Sequence, residues 1–345
     1  MVEEKKINKL AQKCPFEGFR GLLTTQNLSI GYSKKGKTNT VQSTLNLKLS
    51  AGELVCLIGP NGSGKSTLLR TLTGLQKPLA GKTLIDGKEI LKLKQREKAL
   101  LIALVLTERV DMENATVYNL VSLGRHPHSN WWGNISTIED KIIRQAIEMV
   151  HLGHKMFHPI NELSDGEKQR AMIAKALAQD TPIIMLDEPT AHLDLPNRVE
   201  IMLLLHKLAH ETKKAIILST HELDLALQAA DRIWLMSNEN NGIECGVPED
   251  LVFNGSFNHV FESKSYFFNA ANGNFSMNYP MNRKVWVSGD KTRMYWTLRA
   301  LARAGFMVVE DAEIQISVTE TGWEIKENCF KTIEELLDKL GKGLI

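Results

Sequence analysis

The sequence predicts an α/β fold in two parts: a large domain built on a mostly parallel sheet with a phosphate-binding loop, followed by a small C-terminal α/β unit. Three observations carry this reading. Short apolar strands alternate with helical stretches as far as about residue 265. A glycine-rich loop, Gly59–Thr67, lies between a strand and a helix. After about Phe267 the composition changes, with SYFFNAANGNFSMNYPMN rich in Asn, Ser and aromatics.

From Gly21 to Ile90, LLTTQNLSIGY, VQSTLNLKLS and ELVCLIG read as short strands, with GKTLIDGKEI following a helical stretch. Apolar residues then recur at helical spacing over Ile138–His151 and Gly166–Gln179. Two strongly apolar segments, Pro182–Leu186 and Ala215–Ser219, flank a helix through EIMLLLHKLAHE, a pattern of buried parallel strands. DRIWLMSN and GIECG predict a hairpin turning around Asn240, Asn241 and Gly242. The expected domains are an N-terminal extension (1–20), the main domain (21–267), a connector (268–280) and the small unit (281–345). In the last, KVWVSG is a strand, KTRMYWTLRALARAG a helix closed by glycine and FMVVE a strand. EIQISVTETGWEIK is a hairpin turning at Thr321 and Gly322, and TIEELLDKL is a final helix.

The 345 residues are 43% hydrophobic and 24% charged, enough for a sizeable core, which excludes a disordered or fibrous chain. Forty-two Lys and Arg against 40 Asp and Glu leave a charge of +2, so no nucleic-acid partner is expected and an anionic ligand must be held locally. The longest apolar run, Ala99–Leu106, is short of the ~20 residues that span a bilayer, and MVEEKKINKL leads into no apolar signal core. A soluble, cytosolic chain is expected. Cys14, Cys56, Cys245 and Cys329 lack CxxC spacing and read as reduced, structural thiols.

GPNGSGKST matches GxxxxGK[ST] in its proper context, after ELVCLI and before STLLRTLTGL. Gly59, Gly62 and Gly64, with Pro60, Asn61 and Ser63 between them, let backbone N–H groups turn inward around phosphate oxygens. The helix beginning near Lys65 adds its positive end, and Lys65 reaches the outer phosphates, with Thr67 following. Ser66 supplies a hydroxyl for Mg²⁺. PIIMLDEP delivers two carboxylates at a strand's C-terminal end, where α/β sheets place ligand chemistry. Asp187 suits Mg²⁺ and Glu188 suits a general base toward water. His221, after AIILST, reaches the same sheet edge and is expected at the terminal phosphate.

The remaining motif is LSDGE, Leu163, Ser164, Asp165, Gly166 and Glu167, placed before a helix running through Ala178. Together with the phosphate loop at 59–66, PIIMLDE at 182–188, AHLD at 191–194 and His221, it resembles the ATPase subunit of ABC transporters over roughly residues 22–265. The resemblance implies a P-loop NTPase cassette with a RecA-like core, an antiparallel β subdomain and a helical subdomain at about 108–180. It implies a homodimer sandwiching two ATP, each held by one copy's phosphate loop and the other copy's signature residues. Ser164 and Gly166 then donate to the partner's γ-phosphate, Tyr32 stacks on adenine, and Asp194 is the D-loop acid at the dimer interface.

Two positions depart from that pattern. LSDGE has acids at 165 and 167 where LSGGQ is usual, with the serine and second glycine kept. In IALVLTERV, Thr107 falls at the Q-loop position, a shorter side chain where glutamine normally touches magnesium, with Glu108 beside it. VYNLVSLGRHPH then resembles the segment after the Q-loop in ATPases that import iron siderophores, haem or cobalamin. A membrane permease, an extracytoplasmic substrate-binding protein and a peripheral place on the cytoplasmic face of the bacterial inner membrane are the implied company. The ATPase of another transporter, or a nucleotide-dependent switch, shares every nucleotide motif. Val117–Leu123 reads as a short helix stopped by Gly124, and His126, His128, Trp131 and Trp132 as a candidate docking patch. His206 and His210 stand one helical turn apart with no carboxylate at ligand spacing in sequence, so they read as ordinary helix residues. Gly289 in VSGD is a lone glycine and no second phosphate loop.

Overall fold

The computed structural model describes residues 23–34, 37–106, 115–128, 135–238, 242–261 and 263–341. They divide into two compact units. The first runs through residue 262 and includes Phe268–Asn274; the second comprises Ser263–Phe267 and the chain from Phe275.

The first unit opens with strands β1 (Leu23–Lys34), β2 (Lys37–Leu45), β3 (Lys48–Leu49) and β4 (Leu54–Ile58). Helix α1 (Lys65–Leu72) follows, then β5 (Ala80–Ile85), β6 (Lys88–Glu89), α2 (Gln95–Ala99) and β7 (Ile102–Val105). The middle is helical, with α3 (Val117–Ser122), α4 (Thr137–Met149) and α5 (Asp165–Ala178). After it come β8 (Ile183–Asp187), α6 (Leu195–Thr212), β9 (Ala215–Ser219), α7 (Leu223–Ala229), β10 (Arg232–Met236) and β11 (Ile243–Gly246). Short helices α8 (Pro248–Phe253) and α9 (Ser256–Phe261) close it.

The central sheet has the order β11-β10-β4-β9-β8-β7, parallel except for the edge strand β11. Side chains alternate across it as the pleat requires. Leu54, Cys56, Ile58, Ile184, Leu186, Ile216, Leu218, Ile233 and Leu235 join the core shared with the helices α3 to α6. Val55, Leu57, Ile183, Met185, Ala215, Ile217, Trp234 and Met236 join the other, shared with α1 and β1. Both faces are covered, which is why these strands read as unbroken apolar runs. A second, antiparallel sheet has the order β2-β1-β5-β6 with β3 also on β1. The expected core, antiparallel sheet and helical region are all present.

Residues expected as a connector form a hairpin, β12 (Tyr266–Asn269) with β13 (Asn274–Met277). Its Phe268 is buried and packs 5.1 Å from the ring of Phe257. Aromatics read as linker content are there because one of them fills a core position.

The second unit contains β14 (Arg283–Gly289), α10 (Lys291–Arg303), β15 (Phe306–Val308), β16 (Gln315–Val318), β17 (Trp323–Ile325), β18 (Asn328–Phe330) and α11 (Ile333–Gly341). The sheet order is β15-β14-β16-β17-β18, with β14 parallel to both neighbours and the rest antiparallel. Val285, Leu301, Phe306, Ile316, Val318, Ile325, Leu336 and Leu340 form its core. Gly289 has φ +123°, and a Cβ there would stand 1.9 Å from the Val318 carbonyl oxygen. The glycine is a packing requirement of the β14–β16 pair. Asp290 caps α10 by accepting the Arg293 N–H at 2.8 Å.

The N-terminal extension, Cys14, Thr107, Glu108, Trp131, Trp132 and the Asn240–Asn241 turn lie outside the described residues. Cys56 is buried, whereas Cys245 and Cys329 are exposed, so a core role fits only the first.

Candidate active site

β4 ends at Ile58 and α1 begins at Lys65, so Gly59–Gly64 turns the chain at the C-terminal edge of the central sheet. Gly62 and Gly64 have φ of +82° and +102°. A Cβ on Gly64 would lie 2.3 Å from Val41 Cγ1, and one on Gly59 2.6 Å from the Met236 carbonyl oxygen. Close approach requires glycine at both, and at Gly64 the left-handed backbone requires it as well. Lys65 is only 6% exposed, and its Nζ donates to the carbonyls of Gly59 at 2.8 Å and Pro60 at 3.2 Å. Burial pushes its ammonium below the usual lysine range, against the opposing pull of Glu188 and Asp187. The Ser63 hydroxyl is buried with no hydrogen-bond partner among the described residues. A buried orphan hydroxyl in a turn of glycine N–H groups, at the head of a helix, is chemistry that phosphate oxygens satisfy.

The acids arrive on β8. Ser66 Oγ donates to Asp187 Oδ1 at 3.1 Å, and Ser219 Oγ donates to the same oxygen at 2.6 Å. The Glu188 N–H in turn donates to Ser219 Oγ at 2.9 Å. Glu188 has φ +51°, a left-handed conformation that costs a non-glycine residue free energy and clusters at functional sites. Its Oε1 lies 2.6 Å from His221 Nε2. Phosphate loop, both acids and His221 thus meet at one sheet edge, joined by Ser219. Sequence reading missed Ser219. The signal was the parallel pairing of β8 and β9, which sets Asp187 opposite Ser219. The hydroxyl of Ser66 beside the carboxylate of Asp187 is a hard oxygen donor set of the kind Mg²⁺ prefers.

Tyr32 lies on β1 with half its surface exposed, and its hydroxyl is 2.6 Å from Thr67 Oγ1 at the start of α1. That anchor leaves a ring available for stacking beside the phosphate loop.

Ser164 is the N-cap of α5. Its hydroxyl accepts the Glu167 N–H at 3.3 Å while Glu167 Oε2 accepts the Ser164 N–H at 3.0 Å, a reciprocal capping box. Lys155 Nζ lies 2.7 Å from Glu167 Oε1, and this contact first, with the capping bonds behind it, holds the Glu167 carboxyl below its usual range. Glutamate at this position is thus a helix cap with its own counter-ion. Gly166 packs on α6, where a Cβ would meet Asn197 Oδ1 at 2.3 Å. Asp194 caps α6 by accepting the Asn197 N–H at 3.3 Å and its Nδ2 at 2.5 Å. Signature residues and D-loop therefore share the Asn197 contact. Replacing Ser164 with Ala should cost about 1 kcal/mol, seen as a thermal midpoint lowered by a few degrees; an unchanged midpoint would show that the cap contributes nothing.

In VYNLVSLGRHPH, the buried Arg125 donates from Nη1 to the Ala178 carbonyl at 2.7 Å and His128 Nε2 meets the Gln179 carbonyl at 2.8 Å. A Cβ on Gly124 would lie 2.3 Å from the Lys175 carbonyl oxygen. This segment clasps the end of α5, and the half-buried His128 takes part in that packing. Folding also brings the Asp231 carboxylate to His206 and His210, a neighbour that their spacing along the chain does not show.

Fold and site together define an α/β nucleotide-binding cassette with a phosphate loop. The chain matches the family described as ABC transporter over residues 42–191 and that described as Iron ABC transporter C-terminal domain over residues 282–341. It is 39% identical over 268 residues to an uncharacterized ABC transporter ATP-binding protein of Methanocaldococcus jannaschii, covering 77% of this chain and 91% of that one. It is 37% identical over 217 residues to the petrobactin import ATP-binding protein FpuC of Bacillus anthracis, covering 63% and 79%. A solved dimeric structure of a post-hydrolysis ATP-binding cassette bound to ADP and Pi superposes with TM-score 0.56 at 27% identity, over 66% of this chain and 98% of that one. The chain belongs to the ABC transporter family as an ATP-binding subunit. It is an ATPase whose hydrolysis powers transport. Among the described residues, no helix is long and apolar enough to cross a membrane.

Proposed function

We propose that this chain drives an importer of iron–siderophore complexes, working as a homodimer on the cytoplasmic face of the membrane against a permease fed by an extracytoplasmic binding protein. The observation that carries the ATPase half is the run of hydrogen bonds from Ser66 through Asp187 and Ser219 to Glu188 beside the buried Lys65. Three things support the cargo: the C-terminal match to an iron-transporter family, the petrobactin import protein among the relatives, and the VYNLVSLGRHPH segment.

In this reading Gly59–Thr67 holds the phosphates, with Lys65 turning its ammonium from two backbone carbonyls to the outer phosphates. Ser66 and Asp187 would hold Mg²⁺, which would supply charge neutralisation at the phosphates. Glu188 takes the proton of the attacking water, and His221, 2.6 Å from its carboxylate, fixes that side chain's direction. Tyr32 stacks on the adenine. Ser164 and Gly166, with the rest of Leu163–Glu167, present the N-terminus of α5 to the nucleotide of the second copy, and Asp194 lies at that interface. The family's dimeric post-hydrolysis structure supports this arrangement.

The test is transport in vesicles reconstituted with this chain and the permease that co-purifies with it. Uptake of a radiolabelled iron(III)–siderophore complex should require ATP and the binding protein. ATP-driven uptake of cobalamin or haem with no iron–siderophore uptake would reassign the cargo while leaving the ATPase reading intact.

A further inference from the structure

The N-terminal edge of the central sheet, opposite the phosphate loop, carries a side-chain cluster that nucleotide chemistry does not use. His206 and His210 stand at i and i+4 on α6, so both imidazoles leave the same face of the helix. Their ring centroids are 4.4 Å apart. Asp231, the residue before β10, reaches the same point, with His210 Nε2 3.1 Å from its Oδ1. One ligand atom from each of the three lies within 4.8 Å of the others.

We propose that His206, His210 and Asp231 form a binding site for a divalent transition cation of the Zn²⁺ class. Two neutral imidazoles and one carboxylate are a donor set that such ions favour over Mg²⁺ or Ca²⁺. Ligand atoms about 2.1 Å from a tetrahedral ion stand roughly 3.4 Å apart. The three side chains are partly exposed, so small torsional changes close the gap without moving the backbone. The carboxylate is already oriented. Asp231 Oδ2 accepts the Leu54 N–H at 2.7 Å, and the Asp231 N–H donates to the Leu54 carbonyl at 2.9 Å, at the buried first residue of β4. That leaves Oδ1 facing the imidazoles, which is the outer-shell support that fixes metal-ligating carboxylates.

A plain His210–Asp231 ion pair accounts for one imidazole and leaves the second unexplained. With their rings 4.4 Å apart, both imidazoles can turn a nitrogen lone pair to one ion. Three protein ligands would leave the fourth position of a tetrahedral ion to water. β4 separates this site from the phosphate loop by its five residues, roughly 16 Å, so the ion has no part in hydrolysis. It ties α6 to the start of β4 and β10 and thereby stabilises the first unit.

The experiment uses the untagged full chain in excess Mg²⁺, titrated with Zn²⁺ by calorimetry and with Co²⁺ by its visible ligand-field absorption. The expected result is one high-affinity equivalent per chain and a thermal midpoint that rises with Zn²⁺. The double variant His206→Gln, His210→Gln should weaken that equivalent by more than about 100-fold and abolish the midpoint shift, with Mg²⁺-dependent ATP turnover unchanged. Asp231→Asn, which keeps an acceptor for Leu54, should weaken it at least about tenfold. Unaltered Zn²⁺ affinity in the double variant, or no saturable binding in the wild type, would overturn the site. Unaltered affinity in Asp231→Asn would overturn the three-ligand assignment.

Discussion

Replacing Glu188 with Gln is expected to lower ATP turnover by about 10²–10⁴-fold while ATP still binds. The substitution keeps the size of the side chain and an oxygen at the end of it, so an acceptor for His221 remains where the carboxylate now lies 2.6 Å from Nε2. What it removes is the ability to take a proton. The backbone is indifferent to the change, because Gln is no worse than Glu at φ +51° and the N–H bond to Ser219 is made by the main chain. The loss should therefore fall on kcat, with nucleotide affinity within a few-fold of wild type. Because binding survives, the variant should also accumulate as a nucleotide-bound dimer that wild-type protein passes through quickly. Steady-state hydrolysis, binding of a fluorescent ATP analogue and light scattering with ATP make the measurement. Turnover close to wild type would remove Glu188 from the chemistry and move attention to His221, the other titratable group in contact with it.

The parts of this molecule that were legible in its sequence are those where one residue type answers one local demand. Glycines at 59, 62 and 64 announce the phosphate loop because close packing leaves no room for a Cβ at 59 and 64 and the left-handed turn favours glycine at 62 and 64. The strands through Cys56, Met185 and Ile217 read as buried parallel strands because the sheet is covered on both faces. Glu167 looked like a departure from a family pattern until the capping box and Lys155 gave it a local reason. What the sequence hid depends on register and on long-range approach. Ser219 is an ordinary strand-end serine until pairing of β8 with β9 sets it opposite Asp187. Asp231 is 21 residues from His210 in sequence, and only the parallel pairing of β10 with β4 brings it to α6. Phe268 read as linker because aromatic content alone does not say which ring will be buried.

Lys65→Ala is expected to have the second large effect, and on a different quantity: ATP affinity should fall by roughly 150-fold, about 3 kcal/mol, as charge-assisted hydrogen bonds to the phosphates are lost. The side chain is nearly buried, so the deletion also leaves the Gly59 and Pro60 carbonyls without the ammonium that now bridges them. Those carbonyls sit at the head of the loop, and their partner holds the turn in shape. Affinity and loop order should therefore fall together, and thermal stability without nucleotide should drop by about 1–2 kcal/mol. Lys65→Arg separates the two contributions. A guanidinium keeps the positive charge but is planar and larger than an ammonium, in a space bounded by Gly59, Pro60 and the acids Asp187 and Glu188. It should recover part of the stability and little of the affinity, because phosphates at a tight loop need a compact point charge at the position of Nζ. Isothermal titration with ATP and thermal unfolding of both variants distinguish the outcomes. If Lys65→Ala bound ATP with wild-type affinity, the buried lysine would be a structural brace of the turn, and the glycine N–H groups with the dipole of α1 would have to supply the phosphate binding alone.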